Sequence, residues 1–197
     1  MSMKLFYVPG VCSLSPHIVL REMGADFELD KVDRNTKISE SGTNYNQLNP
    51  KSYVPALQLD DGTVLTEGAS ILMYLADQKG GEKVAPKVGT KERYKVQEWL
   101  VFIATELHKN FSPLFRKTPD PVFRENLQKR LDLVAATLAK QPYLMGEKLT
   151  MADAYLFTIL RWAARVELPL PAPLQQFMER MRARPAVAEA LKVEGLT

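Results

Sequence analysis

The stretch KLFYVPGVCSLSPHIVLREMG, residues 4–24, contains the features that decide the fold of the first part of the chain. Residues 4–8 are mostly aromatic or branched and predict a short strand, which ends at a Pro-Gly pair. Apolar residues then recur at helical spacing until Gly24 supplies a helix stop. The only cysteine of the chain, Cys12, therefore lies in a loop between a strand and a helix.

The residues that follow place this strand and helix in a small α/β domain. Residues 27–32 alternate as a second strand, and residues 56–59 and 63–65 predict a hairpin around an Asp-Gly turn. A helix begins near Glu67 and ends at a Gly-Gly pair. The order strand, helix, strand, irregular region or short helix, hairpin and helix is typical of the α/β class.

The second part of the chain has a helical pattern throughout. Glycine, proline and charged residues concentrate at residues 79–90 and indicate a linker. The helix candidates, which prolines separate, cover residues 90–114, 119–140, 150–166, 172–184 and 186–192. The first of them has an apolar stripe that we expect to be buried: Val96, Leu100, Ile103, Leu107 and Leu114. We predict an α/β domain over residues 1–80, a linker over 81–90 and an all-helical domain over 91–197.

The composition excludes several classes of protein. Hydrophobic residues make up 46% and charged residues 25%, so disordered, collagen-like and coiled-coil chains are poorly supported. One cysteine cannot form an internal disulfide, and with two histidines it cannot complete a four-ligand zinc site of those residue types, so no metal site is predicted. Arg161 interrupts the most apolar helix, and the first residues lack a signal-peptide core. We therefore expect a cytoplasmic protein with a reduced thiol and no membrane partner.

The net charge of +3 is unevenly distributed. Residues 1–78 contain 6 Lys and Arg against 10 Asp and Glu, whereas residues 79–197 contain 20 against 13. The densest basic cluster, Arg180, Arg182 and Arg184, lies near a predicted helix end, where cations complement the helix dipole. This distribution does not indicate a nucleic-acid partner.

Cys12 is the first candidate for chemistry. Backbone N–H groups and the dipole of the following helix stabilise a thiolate at this position, although a cysteine can also be simply a small buried apolar residue. A Cys-x-x-Cys motif is incomplete here because Ser15 takes the place of the second cysteine. Any redox turnover therefore needs a second thiol from a small molecule such as glutathione.

Two further segments of the α/β domain have the chemistry of a peptide-binding site. If the Val54-Pro55 bond is cis, the backbone of Val54 can pair with an extended peptide ligand. Glu67-Gly68 opens a helix, and a helix N-terminus beside a carboxylate suits an amino-acid head group. An ordinary acidic first turn is the alternative interpretation of Glu67.

The remaining candidates are polar or aromatic residues on predicted helices and strands. His108 lies beside the buried stripe of its helix and is either functional or a structural, solvated histidine. We expect His17 to be a packing or hydrogen-bonding residue and Tyr7 to be a core residue rather than a thiol-activating hydroxyl. Thr150 and Asp153 have the spacing of a capping box, which predicts an architectural role for Asp153 rather than that of a catalytic acid.

Several segments in this order resemble the cytosolic glutathione transferases, most closely the bacterial beta class. They are KLFYVPGVCSLSPHI, NPKSYVPAL, DDGTVLTEG, EWLVFIATELHK, SPLF and LTMADAYLF. The resemblance covers essentially the whole chain. It implies a thioredoxin-like N-terminal domain, an all-helical C-terminal domain that contributes the electrophile pocket, and a homodimer that binds glutathione.

The resemblance also implies roles for individual residues of the first domain. Cys12 faces the glutathione sulfur and is able to form a mixed disulfide with it. Val54 hydrogen-bonds the cysteinyl backbone of glutathione, and Pro55 is cis. Glu67 and Gly68 hold the γ-glutamyl end.

Further contacts are implied by the same match. Lys37 meets the glycyl carboxylate, and His108 and Lys109 approach the thiol and supply positive potential.

Two positions depart from the family pattern. Gly68 stands where many relatives have serine, so a hydroxyl contact is missing, and Val101 stands where some beta-class members have asparagine, which bears on one polar contact.

These residues together predict a glutathione S-transferase active in detoxification. The thiolate of glutathione, bound as co-substrate, attacks a small hydrophobic electrophile, and no tightly bound cofactor is expected. Thiol transfer through Cys12 is a variant of this hypothesis. The alternative is a non-catalytic protein of the same fold that binds apolar ligands or other proteins.

Overall fold

A four-stranded sheet forms the centre of the first of two compact units in the computed structural model. The structure describes residues 3–116 and 120–196. The first unit comprises the residues up to Val84 together with those from Pro185 onward, and Ala85–Arg184 form the second. Each unit has its own buried apolar core.

The sheet and helices of the first unit follow the predicted order. Its strands are β1 (Met3–Tyr7), β2 (Phe27–Lys31), β3 (Ala56–Gln58) and β4 (Val64–Thr66). They lie in the order β2-β1-β3-β4, with β1 and β2 parallel and the other pairs antiparallel. The helices are α1 (Leu14–Met23), α2 (Tyr45–Leu48) and α3 (Gly68–Ala76). This arrangement confirms the thioredoxin-like α/β fold.

The core of the first unit is formed by residues of β1, β3, α1 and α3. Leu5 of β1 lies opposite Leu57 of β3, and both are fully buried, as are Ile18 of α1 and Leu72 of α3. Helices α1 and α3 pack against each other. Gly24 ends α1 in the left-handed conformation that glycine adopts without steric cost.

The last helix, α9 (Pro185–Val193), packs against α1 and thus belongs to the first unit. The sequence analysis places this helix in the domain of residues 91–197, whereas in the structure it belongs to the first unit. A pattern of apolar residues shows that a terminal helix is amphipathic but not which core it covers. Glu194, directly after α9, is buried and hydrogen-bonded within the first unit.

The second unit is helical. Its helices are α4 (Lys91–Phe102), α5 (Lys109–Leu114), α6 (Pro121–Leu138), α7 (Met151–Leu160) and α8 (Ala172–Arg182). A π-helical segment, Ile103–His108, joins α4 to α5, and a 3₁₀ segment, Arg161–Val166, follows α7. All five residues of the predicted apolar stripe are buried. The predicted start of the 119–140 helix at residue 119 lies outside the described residues.

Asp153 is an architectural residue, as predicted. It is fully buried at the start of α7, where one carboxylate oxygen accepts hydrogen bonds from the Thr150 N–H (2.7 Å) and hydroxyl (2.8 Å). The other oxygen accepts the N–H of Leu144 at 2.8 Å. Burial raises the pKa of Asp153 to about 6. The carboxyl group thus ties a loop to the helix start.

Within the described part of the chain, no helix is long and apolar enough to cross a membrane. The same residues contain no group of three His, Cys, Asp or Glu side chains that could hold a metal ion.

Candidate active site

The loop between β1 and α1 holds Cys12 in a hydrogen-bonded turn. The Ser13 hydroxyl accepts the N–H of Val8 (3.2 Å) and donates to the carbonyl of the same residue (3.1 Å). The Ser15 hydroxyl donates to the Cys12 carbonyl at 2.8 Å. These bonds close the turn from both sides, so the half-buried Cys12 has a fixed position just before α1.

The thiol lies against the Val54-Pro55 loop. Cys12 Sγ donates a hydrogen bond to the carbonyl oxygen of Val54 at 3.2 Å. The Val54-Pro55 peptide bond is cis in the structure. The backbone of this loop is therefore adjacent to the thiol, as a site for a peptide thiol requires.

Two polar residues that the sequence analysis did not identify hold this loop through hydrogen bonds to its backbone. The Tyr45 hydroxyl (2.9 Å) and the Asn49 side-chain amide (2.8 Å) both donate to the carbonyl oxygen of Tyr53, the residue before Val54. The Asn49 amide also donates to the Tyr45 oxygen at 3.3 Å. Burial raises the pKa of Tyr45 to about 12, so its hydroxyl stays protonated as a donor.

Cys12 and the loop line a cavity of about 250 Å³. Most of its lining is apolar, and two cations contribute to it. The lining residues are Val8, Val11, Cys12, Val32, Arg34, Lys37, Tyr45, Ser52, Tyr53 and Val54. Lys37, at φ 59°, donates from Nζ to the Ser52 carbonyl at 3.4 Å. Of the predicted residues, the structure brings Cys12, Lys37 and Val54 together in this cavity.

The start of α3 places Glu67, Gly68 and Pro55 near one another. A Cβ added to Gly68 would lie 3.9 Å from Pro55 Cγ, which is an ordinary van der Waals contact. Glu67 has a φ of 69°, and its exposed carboxylate forms an ion pair with Lys51 at 3.1 Å. Lys51 also donates to the Thr66 hydroxyl at 2.9 Å. These residues do not line the cavity itself.

Two candidates of the first unit are structural. His17 is fully buried, and its Nδ1 lies 2.8 Å from Glu194 Oε1, while its Nε2 accepts a hydrogen bond from Arg21 Nε at 2.9 Å. Glu194 Oε2 accepts the N–H of Gly10 at 2.9 Å. Burial raises the pKa of the Tyr7 hydroxyl, and the charge of Glu194 adds to that rise. His17 is thus a hydrogen-bonding residue and Tyr7 a core residue, as predicted.

The second unit contains the remaining predicted residues. His108 ends the π-helical segment and is half-buried, and Lys109 follows it in an exposed position. His108 Nδ1 lies 2.8 Å from the Tyr155 hydroxyl. Val101 is exposed on α4. Spacing along one helix placed His108 beside the buried stripe but gave no signal for Tyr155, which lies on another helix.

A thioredoxin-like unit with a thiol before its first helix and a cis-proline loop beside that thiol, together with a separate helical unit, defines the glutathione-transferase class of proteins. The family models for the glutathione S-transferase N-terminal and C-terminal domains match residues 11–78 and 102–185. The chain belongs to the glutathione S-transferase family.

Individual relatives match over the full chain. The glutathione S-transferase GstA of Escherichia coli O157:H7 is 51% identical over 200 residues, which cover 98% of this chain and 100% of that relative. The structure of a ternary complex of BphK, a bacterial glutathione S-transferase, has 50% identity and a TM-score of 0.94, with coverage of 98% and 100%. A sphingomonad glutathione S-transferase complexed with glutathione (40%, TM-score 0.91) and the beta-class enzyme of Sphingomonas chungbukensis (41%, TM-score 0.91) have the same coverage.

These matches confirm the resemblance to bacterial beta-class enzymes and the prediction of a transferase. Nothing in them supports the non-catalytic alternative.

Proposed function

We propose that the cavity beside Cys12 binds glutathione and that the bound thiolate attacks a small hydrophobic electrophile. The observation that carries this assignment is the 3.2 Å contact between the Cys12 thiol and the Val54 carbonyl at a cavity that Lys37 also lines. A thiol, a backbone edge and a cation match the sulfur, the peptide group and the carboxylate of glutathione. A related sphingomonad enzyme was solved with glutathione, which supports the same ligand here.

The ligand's two charged ends have separate partners in this proposal. Lys37 binds the glycyl carboxylate, and Glu67 with the N-terminal N–H groups of α3 binds the amino-acid head group of the γ-glutamyl end. The ligand ammonium then replaces Lys51 as the cation at Glu67. Gly68 contributes its backbone N–H, and Pro55 shapes the loop between them.

In conjugation, the glutathione thiol gives its proton to solvent, and its sulfur forms a bond to an electrophilic carbon. The leaving group departs with the electron pair of the bond that breaks. Positive potential stabilises the thiolate. We assign this role to His108 and Lys109, on the basis of the family match.

Thiol transfer uses Cys12 directly. The Cys12 thiolate attacks the glutathione sulfur of a mixed disulfide, so that a Cys12–glutathione disulfide forms and the other thiolate leaves. A second glutathione thiolate then attacks this disulfide, releases oxidised glutathione and restores the Cys12 thiolate. No additional oxidant or reductant is needed.

The test compares Cys12→Ala with the wild type in a conjugation assay and a thiol-transfer assay. We expect thiol transfer to be lost. The change in the conjugation rate measures how much Cys12 contributes to conjugation. Wild-type rates in both assays would contradict the role of Cys12.

The binding site itself is tested separately with Lys37→Gln. We expect the KM for glutathione to rise about fivefold, because a charge-assisted contact to a carboxylate is lost. Lys79→Gln is the matched control, since Lys79 is an exposed lysine of the same unit that does not line the cavity. Equal KM values for the two variants would contradict the assigned carboxylate site.

We also propose that the enzyme is a homodimer, as the family match implies. Sedimentation equilibrium is expected to give twice the chain mass of 22.2 kDa. A mass of one chain across the micromolar range would contradict this assembly.

A further inference from the structure

His108 is held by two aromatic residues of the second unit. Its Nδ1 lies 2.8 Å from the Tyr155 hydroxyl, and its ring meets the Trp162 ring edge-on, with centroids 4.9 Å apart and an interplanar angle of 68°. Tyr155 is 4% exposed and Trp162 is 5% exposed. The imidazole of this half-buried histidine therefore rests on partners that are themselves fixed by burial.

Three rings in and just after the helical segment that contains His108 contact the Trp162 ring. His108, Phe111 and Phe115 follow one another at spacings of three and four residues, and all three rings meet Trp162 edge-on. The segment that ends at His108 is π-helical, a rare geometry that occurs frequently at functional sites. The backbone and the aromatic contacts thus fix the plane of the imidazole, and the hydrogen bond to Tyr155 fixes its rotation.

The hydrogen bond can persist in both protonation states of the histidine. With a neutral imidazole whose proton is on Nε2, the phenol O–H donates to Nδ1. With a protonated imidazole, Nδ1–H donates to the phenol oxygen, and the hydroxyl proton rotates away. Tyr155 is suited to keep the ring in one orientation while its charge changes.

We propose that Tyr155 is a positioning residue of the transferase reaction, which acts by fixing the orientation and tautomer of His108. This inference rests on the proposed role of His108 at the glutathione thiol. Tyr155 itself is not assigned a contact with either substrate.

The kinetic test uses Tyr155→Phe, which removes the hydroxyl and keeps the ring. We expect kcat for conjugation to fall about tenfold with little change in the KM for glutathione, because one hydrogen bond that orients a reacting group is lost. His108→Gln is expected to lower kcat at least as much, and the double variant should match His108→Gln alone. Tyr94→Phe, which alters an exposed tyrosine of the same unit, is the control and should keep the wild-type kcat.

A spectroscopic test separates positioning from stability. The chain has only two histidines, so the His108 ring signals in a ¹⁵N-histidine-labelled sample are assigned by their loss in His108→Gln. At a pH where His108 is neutral, the wild type should show a single tautomer with the proton on Nε2 and an acceptor Nδ1. In Tyr155→Phe, the two ring nitrogens should show averaging between tautomers.

The outcomes distinguish this inference from the proposed function. A wild-type kcat in His108→Gln overturns the role of His108 and the inference with it. A reduced kcat in His108→Gln with a wild-type kcat in Tyr155→Phe overturns the inference alone, as do additive losses in the double variant. The wild-type tautomer is measured without altering Tyr155, so averaging there overturns the inference even if Tyr155→Phe is unstable.

Discussion

The carboxylates of Glu194 and Glu67 both belong to the unit that contains Cys12, but they lie in opposite environments. Glu194 is buried and accepts hydrogen bonds from Gly10 and His17. Glu67 is exposed, with a side chain that retains 67% of its accessible surface, and it pairs with Lys51, whose side chain retains 55%. The buried carboxylate therefore holds the end of α9 against the β1–α1 loop and α1. The exposed carboxylate can exchange Lys51 for a cationic group of a ligand.

The largest effect is expected for Glu194→Gln. The amide oxygen can replace only one acceptor, and the amide N–H₂ group faces a backbone or imidazole donor. One hydrogen bond is therefore lost with its buried donor left unsatisfied, and the other is no longer charge-assisted, which together lower the free energy of unfolding by about 4 kcal/mol. Urea denaturation measures this change, and Glu189→Gln, an exposed position on α9, is the control. A loss below about 1 kcal/mol would remove the contrast with Glu67.

A second buried carboxylate, Asp153, tests whether burial has the same consequence in the second unit. Its pKa of about 6 lies above the ordinary value of 3.8, so between about pH 4 and pH 6 the folded state binds more protons than the unfolded state. Stability therefore falls as the pH rises through this window, by about 3 kcal/mol in total.

Asp153→Asn cannot titrate and isolates this effect. Urea denaturation at pH 4 and pH 7 should show that the wild type loses more free energy of unfolding over this range than Asp153→Asn does. The control, Asp132→Asn, alters an exposed aspartate of α6 and should behave as the wild type does. Parallel pH profiles for the wild type and Asp153→Asn would show that the hydrogen bonds from Thr150 and Leu144 offset the burial.

The sequence pattern was sufficient wherever a structural feature depends on neighbouring residues. The approximate bounds of the strands and longer helices followed from local periodicity, and the Thr150–Asp153 cap followed from a spacing of three residues. Glu194 and Tyr155 were missed because their partners are 184 and 47 residues away along the chain. A long-range hydrogen bond leaves no local pattern in a single sequence.

The same limit applied within the candidate site. Cys12 and Val54 were predicted from their local setting and Lys37 from the family match, and the structure shows that all three line one cavity. Tyr45 belongs to a four-residue helix in a region that the pattern predicted as irregular or a short helix, and a local pattern gives no sign of its hydroxyl bond to Tyr53. The residues that hold a loop of this cavity through hydrogen bonds are thus harder to predict than Cys12, Val54 and Lys37.

At the exposed end of the site, Glu67→Gln should affect binding rather than stability. We expect the KM for glutathione to rise about fivefold, because a solvent-exposed charge pair contributes little. Lys51→Gln is the matched variant, and its KM should stay the same or fall, since Lys51 competes with the ligand ammonium. A rise in KM for Lys51→Gln equal to that for Glu67→Gln would mean that the ion pair itself is required.

The smallest effect is expected for Gly68→Ser, beside Glu67. The nearest atom to an added Cβ is Pro55 Cγ at 3.9 Å, and the residue has no positive φ, so a serine fits without strain. The added hydroxyl supplies the contact that the family match implies at this position, so we expect the KM for glutathione to fall about threefold. Steady-state kinetics at fixed electrophile concentration measure this change, with Gly68→Ala as the control that adds Cβ without the hydroxyl. An equal fall for both variants would assign the gain to a stiffer start of α3, because glycine destabilises a helix relative to either residue.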